Sequence, residues 1–539
     1  MGIIKAKEFI INNISLPFTC EEAEIISEAK VRMKRAGVDP SPLHFRLYKK
    51  SIDARKKHDI RTVCSVMALS REPMKVNTER LERYSVKVCS DKAEELTYGS
   101  DALFSPPLVV GMGPCGMFAA LMLAQNGYKP VVIDRGGAVE DRVFAVERFY
   151  KTGVLDCSTN IQFGAGGAGT FSDGKLVTRI NDVNCNFVLE SFHKFGAPDE
   201  ILTKAKPHIG TDVLRKVVSN ILAEIERLGG RLMYNCRLDS LESKDGELVA
   251  KTTLGDMKCG VCILAVGHSA RDTYEMLMSK GFDIVPKPFS VGVRVEHLQE
   301  DIDRALFGEL SGHPKLGKGE YNLSYTKGER GVYTFCMCPG GEVVAAASEE
   351  GGVVVNGMSG FARDGKNANS AVAVSVSPAD FGGDVRAAIE FQRSLERKAF
   401  ALGGGDYTAP CVTMGDFFDG KAVREPSRVM PTYMNGKCKV ADISGVFPSF
   451  VSENLKIGLA DFGKKISCFT DRDAVLTAVE TRTSAPLTIK RGSEMTATGN
   501  DRIYPAGEGA GYAGGITSAA VDGIKAAKKI MERFSKNQL

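Results

Sequence analysis

Three sets of residues in this chain are spaced for chemistry. The first is Gly111-Met112-Gly113-Pro114-Cys115-Gly116, a GxGxxG pattern whose glycines have separate uses. Gly111 permits a tight turn, Gly113 lets backbone N–H groups approach a pyrophosphate with no Cβ in the way, and Gly116 lets the following helix pack close to a sheet. Asp134 lies about twenty residues beyond, where a carboxylate accepts hydrogen bonds from a ribose. The second set, Gly507-Glu508 with the run Gly509 to Ile516, adds another acid and more unobstructed amides at Gly514, Gly515 and Ile516. The third is cysteine: Cys259-x-x-Cys262 and Cys336-Met337-Cys338 are two close pairs among 14 cysteines.

The elements around the first set are those such chemistry needs. Pro106-Pro107 stops what precedes, Leu108 to Val110 reads as a short buried strand, and Met117 to Ala124 is apolar nearly all round, as a helix buried against a sheet should be. Pro114 suits the first helical turn, where its missing N–H breaks no bond, and Gly127 ends the helix. Val131-Val132-Ile133 is the second strand, with Asp134 at its end. A pyrophosphate would sit on the helix N-terminus, where unpaired N–H groups carry roughly half a positive charge. With strand, helix and acid in place, a nucleotide cofactor is the leading reading over a plain Gly-rich turn.

The second set decides which nucleotide. A short strand ending in Gly507-Glu508, then a Gly-rich turn opening a helix, supplies an acid and a second anion-binding helix terminus. A nicotinamide dehydrogenase has no need of this element, whereas FAD does. Glu508 is placed for the ribityl hydroxyls, and the N–H groups around Gly514, Gly515 and Ile516 for the flavin N1–C2=O edge, where reduction puts negative charge.

Bulk properties narrow the rest. A chain of 539 residues suggests roughly two to four domains. With 43% apolar and 25% charged residues it can bury a core, and a net charge of +4 argues against whole-chain binding to nucleic acid or membrane. No apolar run has the length of a signal peptide or a membrane span, so a cytoplasmic location is expected, with most thiols free. Cys259 and Cys262 lack a second pair at metal-site spacing; no metal is expected, and both read as small residues entering the buried strand Ile263 to Val266. Cys336 and Cys338 would share one face of an extended segment before Pro339-Gly340-Gly341, where a redox role competes with the ordinary inertness of buried cysteine.

Along the chain, residues 1–98 read as an α+β module with a helix from Glu21 to Gly37 and strands Leu43 to Tyr48 and Thr62 to Leu69. The basic run Lys49 to His58 is the one hint of a polyanionic partner; a solvated helix face or loop is the preferred explanation, since no aromatic residues are interleaved for base stacking. Glu94 to Pro107 reads as a link, Val213 to Leu228 as an amphipathic helix, and Arg231 to Leu238 and Val249 to Leu254 as strands. Residues 274–479 are rich in strand-like alternation, as in Val291 to Glu296 and Glu342 to Ala347, and a final helix runs to about Phe534.

On these residues the chain resembles FAD-dependent oxidoreductases of the glutathione-reductase-like type, and more closely a bacterial family of FAD-dependent dehydrogenases whose substrate is unassigned. The resemblance is carried by GMGPCGMFAALMLAQNG with VVIDRG, NIQFGAGGAGTFSDGKLVTR (160–179), KPHIGTDVLR (206–215), ILAVGHSARDTYEML (263–277), YTFCMCPGG (333–341), ETRTSAPLTIKR (480–491) and YPAGEGAGYAGGITSAAVDGIKAA (504–527). SIDARKK at 51–57 belongs to it, and it runs from residue 40 or so to the end. It implies an α/β fold: a Rossmann-like FAD-binding domain (99–273 with 480–539), an inserted α+β substrate or cap domain (274–479) and the N-terminal α+β module (1–98). It puts Gly111, Gly113 and Gly116 on the pyrophosphate, Asp134 on the adenosine ribose in place of the commoner Glu, and Gly507-Glu508 with Gly514 to Ile516 on the ribityl chain and ring. Pro114, Cys115, Arg135, Gly167, Gly169, Thr170 and Gly267 complete the expected cofactor contacts. The loop Gly164 to Lys175 resembles a flavin-covering segment in which Thr170, Ser172 and Asp173 are placed to hydrogen-bond cofactor or substrate; a structural Gly-rich turn is the competing reading.

No nucleophile or triad is evident, since FAD carries the electron transfer itself. His268, Arg271, Lys175, Arg294 with Glu296, and Glu480 with Arg482 are the protonatable or charged candidates near a ring, each read first as a structural pair or cap and only second as catalytic. No second GxGxxG in a strand-to-helix context follows, so NAD(P)H enters only as a transient reductant over the flavin, beside quinone, protein or oxygen as electron partners. The expected partner is a small-molecule substrate, with no membrane and a protein electron partner as an option. Two other functions stand beside it: a flavoprotein acting on RNA through the basic module, and a protein in which FAD is structural.

Overall fold

Five three-residue strands form the sheet on which the glycine turns are hung. In the computed structural model, which describes residues 2–89, 96–244, 247–327 and 330–536, these are Leu108–Val110, Val131–Ile133, Arg231–Met233, Cys262–Leu264 and Ile503–Pro505. All pair in parallel, in the spatial order 503–505, 262–264, 108–110, 131–133, 231–233. Strands covered on both faces read as unbroken apolar triplets, which is why LVV, VVI and CIL stand out in the sequence. From Val110 the chain passes through the helix Pro114–Gln125 to Val131–Ile133 on one side, while Cys262–Leu264 pairs on the other. This is the switch point at which α/β sheets bind ligands beyond the carboxyl ends of their strands.

Alternation along the triplets divides the core. Leu108, Val110, Ile133 and Leu264 join Leu241, Leu248 and Tyr274 in one cluster, whereas Val109 lies under Gly116 of the helix. The cluster's outer layer is an antiparallel sheet of Leu238–Lys244, Glu247–Thr252 and Gly255–Cys259. The single strand expected from Arg231 to Leu238 is therefore two, parted at Asn235, whose φ of 51° lies in the left-handed region that Asn tolerates. Cys259 closes a strand of this sheet and Cys262 opens one of the other, so the pair does not enter one strand as expected; both are buried, and burial pushes the Cys259 thiol up to about 12. Among the described residues no group of three His, Cys, Asp or Glu is arranged to hold a metal.

A seven-stranded mixed sheet forms the other large layer. Its order is Ser324–Tyr325, Val332–Cys338, Asn367–Val376, Phe289–Leu298, Val475–Glu480, Ala409–Thr413, Cys438–Val440. Phe289–Leu298, near the middle, is buried at all ten positions, Arg294, Glu296 and His297 included. Glu342–Ala345 pairs separately with Val355–Met358.

Met1–Glu95, Pro198–His208 and Asp303–Gly319 make one compact unit; Leu96–Ala197, Ile209–Ile302 and Glu320–Leu539 make the second, which contains both large sheets. In the first unit four antiparallel strands, in the order Leu43–Asp53, Arg61–Asn77, Ile3–Pro17, Val86–Val88, carry the helix Glu22–Arg35 through Ile25, Ala29 and Met33. The basic run Lys49 to His58 is no helix face: it finishes the strand at Asp53 and turns, with the Arg55 guanidinium 2.8 Å from the Asp53 carboxylate. Of the expected link, residues 94 and 95 lie outside the described ones. No described helix is long and apolar enough to cross a membrane.

The helix Ile516–Arg533 packs against Pro114–Gln125 through Gly523, where an added Cβ would lie 2.0 Å from the Cys115 carbonyl oxygen. In an exposed helix interior Gly→Ala gains about 1 kcal/mol. Here overpacking reverses the sign: Gly523→Ala is expected to cost about 1–3 kcal/mol, read as a lower midpoint in thermal unfolding followed by circular dichroism.

Candidate functional site

The first glycine turn closes tightly on itself and stays open in one direction. Gly111 has φ +104°, and a Cβ there would meet the Ala265 carbonyl oxygen at 2.3 Å; one on Gly116 would meet the Gly111 oxygen at 1.9 Å. Around Gly113 the nearest atom to an added Cβ is the Gly167 Cα, 3.8 Å away. The helix Pro114–Gln125 begins with Pro in its first turn, has no side-chain cap and no acid there, so its free N–H groups face that gap uncompensated.

Asp134 is buried and already engaged. One carboxylate oxygen accepts from the Met112 N–H at 2.8 Å, and the other from the Gly136 and Gly164 N–H groups at 2.9 Å each. The expected ribose acceptor therefore also ties three turns together, and a fourth acceptor position on the carboxylate is what it has left for a ligand. The loop it holds reaches Gly167–Phe171, with Gly167 at φ +59° against Gly113. Its polar side chains are spent within the protein. Thr170 Oγ1 donates to Ala165 O (3.2 Å) and Ser172 Oγ to Gly169 O (2.7 Å), while Asp173 is held by Arg363, Lys175 and Ser359. Thr170, Ser172 and Asp173 are thus not free ligand contacts; the bare backbone of Gly167 and Gly169 is what the loop presents.

The second glycine cluster arrives at the same place. Ile503–Pro505 ends in Gly507 (φ +76°), whose missing Cβ leaves room for Cys115 Sγ, 2.9 Å from where that Cβ would lie. The Gly507 N–H donates to Asp522 (2.7 Å), which Arg491 grips with two bonds of 2.9 and 2.7 Å. A Cβ on Gly169 would lie 3.5 Å from Pro114 Cγ and 3.4 Å from Ile516 Cγ1, so both helix starts border one point. Nothing lies within 4 Å of a Cβ built on Gly514 or Gly267. The helix Ile516–Arg533 likewise starts with no acid in its first turn. Glu508, half-buried, makes no side-chain hydrogen bond among the described residues; burial pushes its carboxyl up to about 7 against the pull of Lys287.

A cavity opens at the carboxyl ends of the strands, lined by Gly111, Asp134, Arg135, Phe163, Val266 and Thr273 among others. Arg135 lies over the Phe163 ring at 4.3 Å and pairs with Asp272 at 2.7 Å. Phe163 and Thr273 were not among the expected site residues, although both stand in motifs that carried the resemblance. Tyr274 was also missed: its buried hydroxyl lies 2.9 Å from the carbonyl oxygens of Gly267 and Gly509 and locks the two glycine turns together.

The charged candidates are partnered, in pairs the sequence order does not suggest. Arg294 bonds Glu480 at 2.9 Å rather than Glu296, whose carboxylate accepts from Thr432 and Asn367. Arg482 and Arg271 both grip Glu396, at 3.1 and 2.8 Å. Burial and the guanidinium groups of Arg482 and Arg271 hold the His268 imidazole down to about 3, so it is neutral near pH 7. Its Nδ1 lies 2.9 Å from Ser269 Oγ.

Against known proteins, residues 288–483 match the family described as FAD-dependent protein, C-terminal domain-like. A Clostridium beijerinckii protein described as uncharacterized is 46% identical over 529 residues, 97% of this chain and 98% of its own. Among solved structures the chain is similar to a flavoprotein/dehydrogenase from Cytophaga hutchinsonii (TM-score 0.34, 12% identity, 78% of this chain and 76% of that one). It is also similar to a geranylgeranyl bacteriochlorophyll reductase-like protein from Thermoplasma acidophilum (TM-score 0.34, 13% identity, 80% of each). The chain belongs to the family of the Clostridium beijerinckii protein, and FAD is its cofactor.

Proposed function

We propose that the chain is an FAD-dependent oxidoreductase that passes hydride or electrons through bound FAD to or from a small molecule, its cofactor held in the glutathione-reductase-like manner. The observation that supports this most is the meeting of two acid-free helix starts at Gly169. In this reading the amides at Gly113 to Gly116 take the pyrophosphate, and the cavity beside Asp134 and Arg135 takes the adenosine. Glu508, whose carboxyl has no hydrogen-bond partner among the described residues, takes ribityl hydroxyls, and Gly514 to Ile516 the electron-rich edge of the ring. FAD supplies the hydride or electron transfer itself. The chain's own residues bind and orient: Tyr274 ties the turn at Gly267 to Gly509, Asp134 fixes the loop that bears Gly167 and Gly169, and the helix termini favour developing negative charge.

Anaerobic mixing of the FAD-loaded protein with NADH, NADPH and a panel of metabolites in a stopped-flow instrument is expected to bleach the visible flavin band with at least one of them. A flavin that stays oxidised with every donor would favour a structural role instead.

The Glu508 carboxyl titrates near 7 with the site free of ligand, and hydroxyl donors stabilise its ionised form, so its pKa falls on binding and a proton is released. FAD affinity is therefore expected to rise, by up to about tenfold, as pH is raised towards about 7, and to level off above it. In Glu508→Gln the affinity is expected to be weaker and flat with pH; fluorescence titration at several pH values measures both.

A further inference from the structure

Beside the glycine loop lies a pair of thiols that the cofactor reading leaves unused. The strand Val332–Cys338 pairs regularly with Asn367–Val376 from Val332 to Phe335, then slips before resuming with Cys338 opposite Asn369. Cys336 takes φ +46°, a left-handed conformation that a cysteine rarely adopts. The strand is therefore not flat at the pair, and Cys338 Sγ comes 3.3 Å from the Cys336 carbonyl oxygen. Two cations converge on that buried sulfur: Lys175 Nζ at 3.9 Å and Arg294 Nη2 at 3.8 Å. Arg294 Nη2 also donates to the Cys336 carbonyl at 2.6 Å, which fixes the kink. Lys175 precedes Leu176, whose carbonyl accepts from Thr517 Oγ1 (2.8 Å) in the first turn of the last helix, so the thiols border the loop that serves the candidate site.

The electrostatics distinguish the two sulfurs. Cys336 is half-buried and Cys338 wholly buried. The neighbouring Cys338 thiol, with Lys175 and Arg294 nearby, draws Cys336 down to about 6 against burial, whereas Cys338 is pushed well up. Cys336 is thus the more acidic of the two thiols.

We propose that Cys336 and Cys338 form a thiol–disulfide exchange site for a small disulfide, with Cys336 attacking and Cys338 resolving. The Cys336 thiolate displaces R′S⁻ from R–S–S–R′ and forms a Cys336–S–S–R bond. Cys338 then gives up its proton to the released thiolate, its sulfur attacks the Cys336 sulfur, and RS⁻ leaves and is protonated by water. A Cys336–Cys338 disulfide remains, and the substrate has gained the two electrons that the dithiol has lost. The exchange needs no flavin electrons, so it stands or falls apart from the cofactor reading.

The probe is dithiodipyridine, added to the full-length native protein, with thiopyridone release followed in a stopped-flow instrument. The wild-type chain is expected to release two equivalents in a fast phase near pH 7, and non-reducing peptide mapping to show Cys336 joined to Cys338. Cys338→Ser is expected to release one equivalent and keep a stable pyridyl adduct on Cys336. Lys175→Met is expected to slow the fast phase about tenfold near neutral pH, with recovery at higher pH and in Lys175→Arg. A pyridyl adduct left on Cys336 of the wild-type chain beside a free Cys338, or a fast phase undiminished in Cys336→Ser, would overturn the proposal. The wild-type mapping needs no substitution, so a variant that fails to fold does not remove the test.

Discussion

Between the helices that begin at Pro114 and Ile516 there is no room for a single Cβ at the positions that matter. Gly523 lies on the Cys115 carbonyl, Gly507 on the Cys115 sulfur and Gly116 on the carbonyl of Gly111. Because both helices leave the carboxyl edge of one parallel sheet, this contact holds their positive ends on the same side. Like poles brought together repel, and neither first turn offers an acid to offset them. An anion placed between them offsets that repulsion, which is the property expected of a site for a pyrophosphate and a reducible ring. Arg491, gripping Asp522 while Asp522 holds the Gly507 N–H, keeps the second start in place from behind.

The two acids of the site look equivalent in sequence, each following a short strand, yet they do different work. Asp134 is anchored by three backbone N–H groups and acts first as a rivet between the turn at Met112 and the loop at Gly164. Glu508 has no such partners, and its carboxyl carries the cost of burial as a raised affinity for its proton. A carboxyl without a protein donor, beside open glycine backbone, is the better indication of where a ligand's donors go.

How much of this was legible depended on whether the signal was local. The strand-turn-helix around Gly111 to Gly116 and the helix after Gly515 could be read directly, because apolar triplets and glycines at fixed offsets belong to short segments. The long strand Ile3–Pro17 went unread, since its apolar residues do not alternate cleanly and its partners stand some sixty residues on, at Arg61–Asn77. Arg294 was set beside Glu296 because the two are neighbours in sequence, whereas its actual partner, Glu480, comes from the strand alongside. Thr170, Ser172 and Asp173 looked available for a ligand because their own partners, Ala165, Gly169 and Arg363, appear only once the loop is folded.

Asp173 shows why such a residue cannot easily serve a cofactor. It is fully buried, and although burial alone would raise its pKa, Lys175 and Arg363 lower it, so the carboxylate stays ionised between two cations. Arg363 also bonds Glu320 and comes from the segment that matches the FAD-dependent family, whereas Asp173 and Lys175 belong to the glycine loop. The ion cluster thus joins loop and C-terminal sheet across almost two hundred residues of chain, and withdrawing one member would leave a buried charge alone, at about 3–5 kcal/mol. Lys175 completes the link in the other direction, since the ammonium that neutralises Asp173 also stands beside Cys338. A change in charge at those sulfurs would therefore be felt by the carboxylate that holds the loop, and through the loop by Gly167 and Gly169 at the two helix starts.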